Sequence, residues 1–493
     1  MTFRHKVLLL CTLCIFYLFF LTLSQLQANK SDLFSEENDN LVNFEPPQSW
    51  QLDPESEITP DPLTTPSTLL PSASPALPII DPDEKYITFF THSGFQNQLI
   101  QVENGILLAW YLNRTLILPK ALLGEPFGWS PFDKLHLEHM IRDRSTSTNC
   151  DEYTIEIQQW NISCPNRERY ALLPFDEIFD LSWAKQNVKI ILRDQSDLNW
   201  LETQFGIQRG GEESRPSGSY VDGDILFFKG ETRYDWRIFD TPRKAHRLGK
   251  YAASLDIYQL RERSEKLIHF SSLFGTGKLP IRRPEHYEFL RTLQRSITYR
   301  HPAVLQLAEE LVRRLGGAGN FMGLHIRSGD GWFVKALPEN INSTVSQINR
   351  VVAPTDQWPL TSKVTAGFAL SLEQCLELAK TNNITLIYMA TDARAPRSTP
   401  AFDPLWANNP CTFTIDDLMG PDDEAWMALD KEKHELSGKS MRKFLVPLVD
   451  ATVASRGWLF IGSKGSTFSG YIHRLHDVFW SNQKMQTIES NDG

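Results

Sequence analysis

Four short stretches of this sequence place polar side chains directly after apolar runs. His92-Ser93-Gly94-Phe95-Gln96-Asn97-Gln98 follows the first run, and His325-Ile326-Arg327-Ser328-Gly329-Asp330 ends the second. Ala390-Thr391-Asp392 closes the third, and Gly465-Ser466-Thr467-Phe468-Ser469-Gly470 follows the fourth. In open parallel sheets ligands bind beyond the carboxyl ends of the strands, so these are the residues to weigh. Gly94 allows close backbone approach, and a helix beginning near Asn97 favours anions, although the same residues also make an ordinary βα turn with an Asn cap. Strand alternation sends His325 and Arg327 to one face. Arg327 offers a planar fork for phosphate oxygens, and Asp330 is its alternative partner in a structural ion pair. The carboxylate of Asp392 suits the N1–H and exocyclic amine of guanine, or a turn cap. Ser466, Thr467, Phe468 and Ser469 at a helix start make a phosphate cradle from hydroxyls and backbone N–H groups. Asp450 lies upstream on an expected helix that should pass near that cradle.

Together the four sets suit a diphosphate, a purine base and a ribose, which is a sugar nucleotide. HSGFQNQ, HIRSGD, ATD and GSTFS in this order, with VDATVASRGWLFIGSKGSTFSG over 449–470, resemble the GDP-fucose protein O-fucosyltransferase family. The resemblance runs from about Tyr86 to His476, is close only in the motifs, and suggests a divergent, fungal-type branch. It implies a GT-B fold and fucose transfer from GDP-fucose to a protein Ser/Thr or glycan hydroxyl, with inversion and no metal or other cofactor. By motif, Arg327 would stabilise the leaving GDP, His325 would hold ribose or phosphates and Asp392 would read guanine. Ser466, Thr467 and Phe468 would cradle the diphosphate, and Asn97 would sit at the reacting face. Asp450 would support Arg327 or the donor. Related enzymes place a carboxylate near the first motif, where this chain has His92 and Ser93. His92 is therefore the expected general base, since imidazole titrates near neutrality.

Two other readings compete. Asp222-Gly223-Asp224 supplies a DxD, the metal–diphosphate device of another transferase class using a different nucleotide sugar. Asp224, however, precedes its strand, and a hairpin turn explains the pair equally well. The other reading is a non-catalytic lumenal protein that binds a sugar nucleotide or glycan, against which stand the intact Arg327 and GSTFS loop.

The elements that must position these residues are legible as alternating apolar runs. Strands are expected at 86–90, 115–119, 188–193, 224–230, 266–275, 320–327, 384–392 and from 458, with helices at 97–112, 302–315, 370–381 and 441–456, the last kinked by Pro447. Two runs of α/β elements imply two Rossmann-like domains facing a cleft: an acceptor-side domain over 85–300 and a donor-side domain over 301–493.

Ahead of them, Val7 to Leu23 is free of charge and spans about 26 Å as a helix, enough for a slightly thin bilayer. Arg4 and Lys6 precede it and acidic residues follow. The expectation is a cytosolic tail over 1–6, a single-pass signal anchor over 7–26 and a lumenal remainder in the Golgi or ER membrane. A proline-rich stem occupies 27–84. A net charge of -10 argues against a nucleic-acid partner. Four cysteines lie beyond the apolar span, and nearness in sequence pairs Cys150 with Cys164 and Cys375 with Cys411. Glycan acceptor patterns stand at Asn29, Asn113, Asn161, Asn342 and Asn383.

Overall fold

Short apolar runs build two separate sheets in the computed structural model, which describes residues 83–143, 150, 153–211, 215, 217–242, 247–352, 370–382 and 384–491. The expected anchor and stem, Asn29 and Asn383 lie outside the described residues. Among the described residues no helix is long and apolar enough to cross a membrane.

The strands in chain order are β1 (Tyr86–Phe89), β2 (Thr115–Leu118), β3 (Ala121–Gly124), β4 (Tyr170–Leu173), β5 (Ile190–Leu192), β6 (Gly218–Asp222), β7 (Ile225–Lys229), β8 (Trp236–Phe239), β9 (Ala253–Asp256), β10 (Leu267–Phe270), β11 (Phe321–Ile326), β12 (Leu386–Thr391), β13 (Thr412–Phe413) and β14 (Phe460–Gly462). The longer helices are α1 (Phe95–Leu112), α2 (Phe132–Met140), α3 (Pro284–Ser296), α4 (Pro302–Arg314), α5 (Gly331–Val351), α6 (Leu372–Asn382), α7 (Arg442–Ser455) and α8 (Thr467–Asn491).

The first sheet runs β5-β2-β1-β10-β7-β6, parallel except for the edge strand β6. The second is all parallel, in the order β13-β12-β11-β14. β1, β2, β7, β10 and β11 are buried at every position. Parallel strands covered on both faces require this, so their sequences read as continuous apolar runs. Register fixes the site. His325 lies opposite both Ala390 and Gly462, and Ile326 opposite Thr391, so β11, β12 and β14 end together and release Arg327, Asp392 and Ser463 at one edge.

Close packing explains two glycines there. A Cβ on Gly323 of β11 would meet the Ala454 carbonyl of α7 at 1.9 Å, and one on Gly462 would meet Ser469 of α8 at 2.6 Å. α4 begins on Pro302 and buries Val304, Leu307, Ala308 and Leu311, the i, i+3, i+4 stripe of a core-facing helix. α7 runs through Pro447.

The sheets fall on either side of residue 300, and residues 78–493 form one compact unit. α8 returns to the first sheet's helices. Arg474 pairs with buried Glu103 of α1 at 2.6 Å, Gln294 of α3 donates to the same carboxylate at 3.0 Å, and Tyr471 donates to the Ile297 carbonyl at 3.3 Å. The disulfides are Cys150–Cys164 and Cys375–Cys411. Asn113, Asn161 and Asn342 are exposed.

Candidate active site

Arg327 is the first residue beyond β11. Its backbone N–H donates to Ser463 Oγ at 2.9 Å, and its guanidinium lies 2.7 Å from Asp330 and 3.1 Å from Asp392. Two carboxylates bracket the planar fork and hold it half-buried at the sheet edge. Asp392 also accepts from Ser328 N at 2.7 Å, Ser328 Oγ at 2.9 Å and Gly329 N at 3.0 Å. With Arg327 these four donors fill the lone-pair sites of the carboxylate. As placed, Asp392 is therefore not a free reader of guanine, as its motif implied; it anchors the 327–330 loop. A Cβ at Gly329 would come within 2.6 Å of Asp392 Oδ2, so a side chain there would displace the clamped carboxylate.

His325 is buried beneath this loop. Its Nδ1 lies 2.7 Å from Ser469 Oγ, and its ring meets Phe468 edge-on at 4.9 Å. Burial, more than the opposing charges of Asp392 and Arg327, pushes its pKa down to about 3, so the imidazole is neutral at physiological pH. If the Ser469 hydroxyl donates to Nδ1, the ring proton is left on Nε2. Ser466 caps α8, accepting from Ser469 N at 3.3 Å. Thr467 and Phe468 open the helix, where backbone N–H groups have no earlier carbonyl of the same helix to bond. These residues form a helix start, as the sequence suggested, with Thr467 already helical.

Asp450 does not join this group. It is buried on α7 and accepts from the Tyr388 hydroxyl of β12. Asp330 and Asp392, not Asp450, support Arg327. Sequence reasoning also passed over Ser463, whose hydroxyl takes the Arg327 N–H and whose N–H donates to the His325 carbonyl at 3.0 Å. Its only sequence signal was its place directly after the β14 run.

The first motif sits at the carboxyl edge of the other sheet. His92 is 1 % exposed, with Nδ1 2.8 Å from Ser93 Oγ and Nε2 2.8 Å from Ser272 Oγ. Burial, with the nearby His139, Arg233 and Lys278, holds its pKa down at about 3. A general base needs an accessible lone pair and a pKa near the working pH. His92 has neither, which corrects the expectation from sequence. It holds Ser93 instead, whose φ of 67° is a left-handed conformation costing about 1–3 kcal/mol. Gln98 clamps the same turn, donating to the Ser93 carbonyl at 3.1 Å and the Leu122 carbonyl at 2.9 Å. Gly94 caps α1 with an ordinary φ of -59°, and a Cβ there would meet nothing within 4 Å. The fold itself therefore does not demand glycine at this position. Asn97 Oδ1 and Gln96 Oε1 are buried without a hydrogen-bond partner among the described residues.

The DxD pair is spent on a hairpin. Asp222 ends β6 and accepts from Gly210 N at 2.7 Å, and Asp224 in the β6–β7 turn accepts from Gln208 N at 2.9 Å. Among the described residues no group of three His, Cys, Asp or Glu is placed to hold a metal ion.

Residues 156–479, about two thirds of the chain, match the family described as GDP-fucose protein O-fucosyltransferase. The chain belongs to this family. It is a fucosyltransferase that uses GDP-fucose. The match takes in Arg327, Asp392 and the α8 cradle and part of the middle that no motif reached, but begins after the first motif. Similar solved structures include POFUT1 in complex with GDP-fucose, 12% identical with a TM-score of 0.34 over 81% of this chain and 95% of that one. Another is the fucosyltransferase NodZ from Bradyrhizobium, 13% identical with a TM-score of 0.37 over 79% of this chain and 93% of that one. No curated protein matches the sequence.

In an O-fucosyltransferase the Ser469–His325 bond should matter for donor affinity. Ser469→Ala leaves buried His325 without its partner, a loss of about 1–2 kcal/mol. The KM for GDP-fucose is expected to rise about five- to thirtyfold with a smaller change in kcat, read from initial rates over a GDP-fucose series. An unchanged KM would remove His325 from the donor site.

Proposed function

We propose that the chain is a GT-B enzyme that transfers fucose from GDP-fucose, with inversion and without a metal ion, to a Ser or Thr hydroxyl of a protein or to a glycan hydroxyl. The observation that carries this reading is the convergence of Arg327, His325 and the α8 N-terminus at the carboxyl edge of the second sheet, within the region that matches the family. The barrier lies in breaking the anomeric C–O bond, and negative charge grows on the β-phosphate as it breaks. Arg327 and the first N–H groups of α8 are fixed donors for that charge, and fixed donors that strengthen their hold in the transition state lower the barrier. Neutral His325 adds a hydrogen bond through Nε2. An acceptor hydroxyl entering from the first sheet's edge, near Asn97 and Gly94, attacks the face opposite the departing GDP and gives up its proton to water, which inverts the anomeric centre.

Release of GDP from GDP-fucose, with a panel of GDP-mannose and UDP-sugars beside it and peptide and glycan acceptors, tests the donor and acceptor class. Turnover of another donor in place of GDP-fucose would sink the assignment. For the metal, the expected result is full activity in EDTA. Asp222→Asn with Asp224→Asn should likewise retain activity within about twofold while loosening the β6–β7 hairpin by about 1 kcal/mol. Loss of turnover in EDTA, restored by a divalent cation, would reverse this reading.

The proposed location is the Golgi or ER membrane, single-pass, with the catalytic unit in the lumen. The two disulfides support an oxidising compartment, and exposed Asn113, Asn161 and Asn342 are proposed glycan carriers.

A further inference from the structure

α1 and α8 are the two helices whose first turns the fucosyl-transfer reading uses. α1 leaves the Ser93–Gly94 turn at the carboxyl edge of the first sheet, and α8 leaves the Ser466 cap at the carboxyl edge of the second. They are joined at two levels. At the first, Gln96 in the opening turn of α1 donates to the Tyr299 hydroxyl at 2.9 Å. The Tyr299 ring in turn meets that of Tyr471 of α8 edge-on at 5.2 Å. Both tyrosines are buried, and Tyr471 donates to the Ile297 carbonyl at 3.3 Å. At the second level, Arg474 Nη2 lies 2.6 Å from Glu103 Oε1, and Gln294 Nε2 of α3 holds the other oxygen at 3.0 Å. Glu103 follows Phe95, the first residue of α1, and Arg474 follows Thr467, the first of α8, by similar stretches. The pair therefore sits roughly 10–12 Å along each helix, at about 1.5 Å per residue.

The second tie is ionic and buried. The Glu103 side chain is 5% exposed and that of Arg474 21%. Burying an ion pair costs desolvation that the attraction barely recovers, and apolar residues of similar volume hold a fold at least as well. What the pair supplies beyond apolar packing is register. Apolar faces tolerate a slide of one helix along another. Here a slide of α8 would leave the Glu103 carboxylate buried with Gln294 but without a counter-charge, which is costly. Among the described residues Arg474 is the only cation paired with Glu103, so no other register satisfies the carboxylate. Glu103 Oε1 and Arg474 Nε complete no aligned hydrogen bond among the described residues, so the tie is made by charge and by the Gln294 bond. The Arg474 guanidinium also lies 4.9 Å from the centre of the Tyr471 ring, which joins the two levels into one unit.

We propose that Glu103 and Arg474 are positioning residues for transfer: their pairing sets α8 against α1, and so sets the anomeric carbon at the α8 cradle against the acceptor hydroxyl at the α1 start. This role rests on the fucosyl-transfer reading. Neither residue touches the reacting atoms. Two reactants held on separate elements must meet in a narrow geometry, and a misplacement of about 1 Å from a distant change costs about 10²-fold. The competing reaction with water has no such need. There the water oxygen bonds to the anomeric carbon, its proton passes to solvent, and GDP leaves with the electron pair. Loss of the pair is therefore expected to slow transfer and to spare hydrolysis.

The full-length protein is assayed with GDP-fucose labelled in the sugar. A mixed pool of Ser- and Thr-bearing peptides and free oligosaccharides serves as acceptor, and acceptor-bound label is separated from free fucose. Glu103→Leu with Arg474→Leu removes both charges and keeps apolar volume, so the melting temperature should stay near that of the wild type. Its transfer rate at saturating GDP-fucose is expected to fall about ten- to hundredfold, while GDP affinity and acceptor-free hydrolysis stay within about twofold. Arg474→Lys keeps the charge, shortens its reach and loses the planar fork. It should lower the ratio of transfer to hydrolysis by about threefold, a check that does not depend on the double variant folding. A double variant that melts and transfers like the wild type would overturn the proposal. So would an unchanged ratio in Arg474→Lys, since a merely structural tie moves stability and not the ratio. Equal losses of transfer and hydrolysis would place the pair behind donor binding alone and overturn it as well. A wild-type protein that releases no GDP from GDP-fucose would bring down the fucosyl-transfer reading itself, and the positioning role with it.

Discussion

Arg327→Ala is expected to lower kcat/KM for transfer from GDP-fucose by about 10²–10³, the usual cost of deleting one preorganised donor to transition-state charge. The loss should fall mainly on kcat. In the proposed site GDP in the ground state would still meet the α8 N-terminus and His325, whereas charge on the β-phosphate peaks only as the C–O bond breaks. The fold should survive. The Arg327 side chain is 31% exposed, and the bonds of Asp392 to Ser328 and Gly329 do not pass through it. Arg327→Lys should recover little, because Asp330 and Asp392 bracket a planar fork that an ammonium cannot reproduce. The measurement is single-turnover transfer alongside GDP binding. An Arg327→Ala enzyme that turns over like the wild type, or one whose deficit lies wholly in GDP affinity, would remove Arg327 from the chemical step.

What could be read without coordinates follows from physics. Parallel strands buried on both faces announce themselves as apolar runs, so β1, β2, β7, β10, β11 and β12 were legible, as were the short apolar edge strand β5 and α1 and α4 with their apolar stripes. The polar residues that end those strands were legible for the same reason. The β3–β4 and β8–β9 pairs were not, since each is only four residues long and stabilised by distant partners such as Ala121 opposite Leu173. α5 was missed because Pro338 and a polar face from Glu339 to Ser343 obscure its period. At the site, residue types were readable but partners were not. Asp392 and Asp450 are both carboxylates near expected strands or helices, and nothing in the sequence says that one holds a loop while the other meets Tyr388. His92 looked like a base because imidazole is a plausible base anywhere. Burial and two hydroxyl partners, both tertiary facts, withdraw it.

The Asp450–Tyr388 pair gives the other large effect, on stability instead of turnover. Asp450 is buried between α7 and β12, and burial, abetted by the charge of Asp416 and opposed by the Tyr388 hydrogen bond, raises its carboxyl to about 7. In the unfolded chain the same group titrates near 4. The native state therefore binds more protons than the unfolded state between those values. For an acid with a raised native pKa, stability falls as pH rises through that window and levels off above it. The size is roughly 4 kcal/mol from end to end if the whole difference is realised. Asp450→Asn keeps an oxygen to accept from the Tyr388 hydroxyl but carries no titrating proton. The variant should match the wild type within about 1 kcal/mol near pH 4 and exceed it by a few kcal/mol at pH 8. Denaturant titrations of both proteins across that range give the difference curve, in which titrations shared by both proteins cancel. A flat difference, or an Asn variant less stable than wild type at pH 8, would mean that the native carboxyl is not raised and is already ionised well below neutrality. In that case the anion would have to be balanced by a cation, and the motif-derived role of supporting Arg327 or the donor would return. A difference that closes as the pH falls to 4 instead fixes Asp450 as a core acid whose carboxyl burial raises, and leaves Asp330 and Asp392 as the carboxylates that aim the arginine.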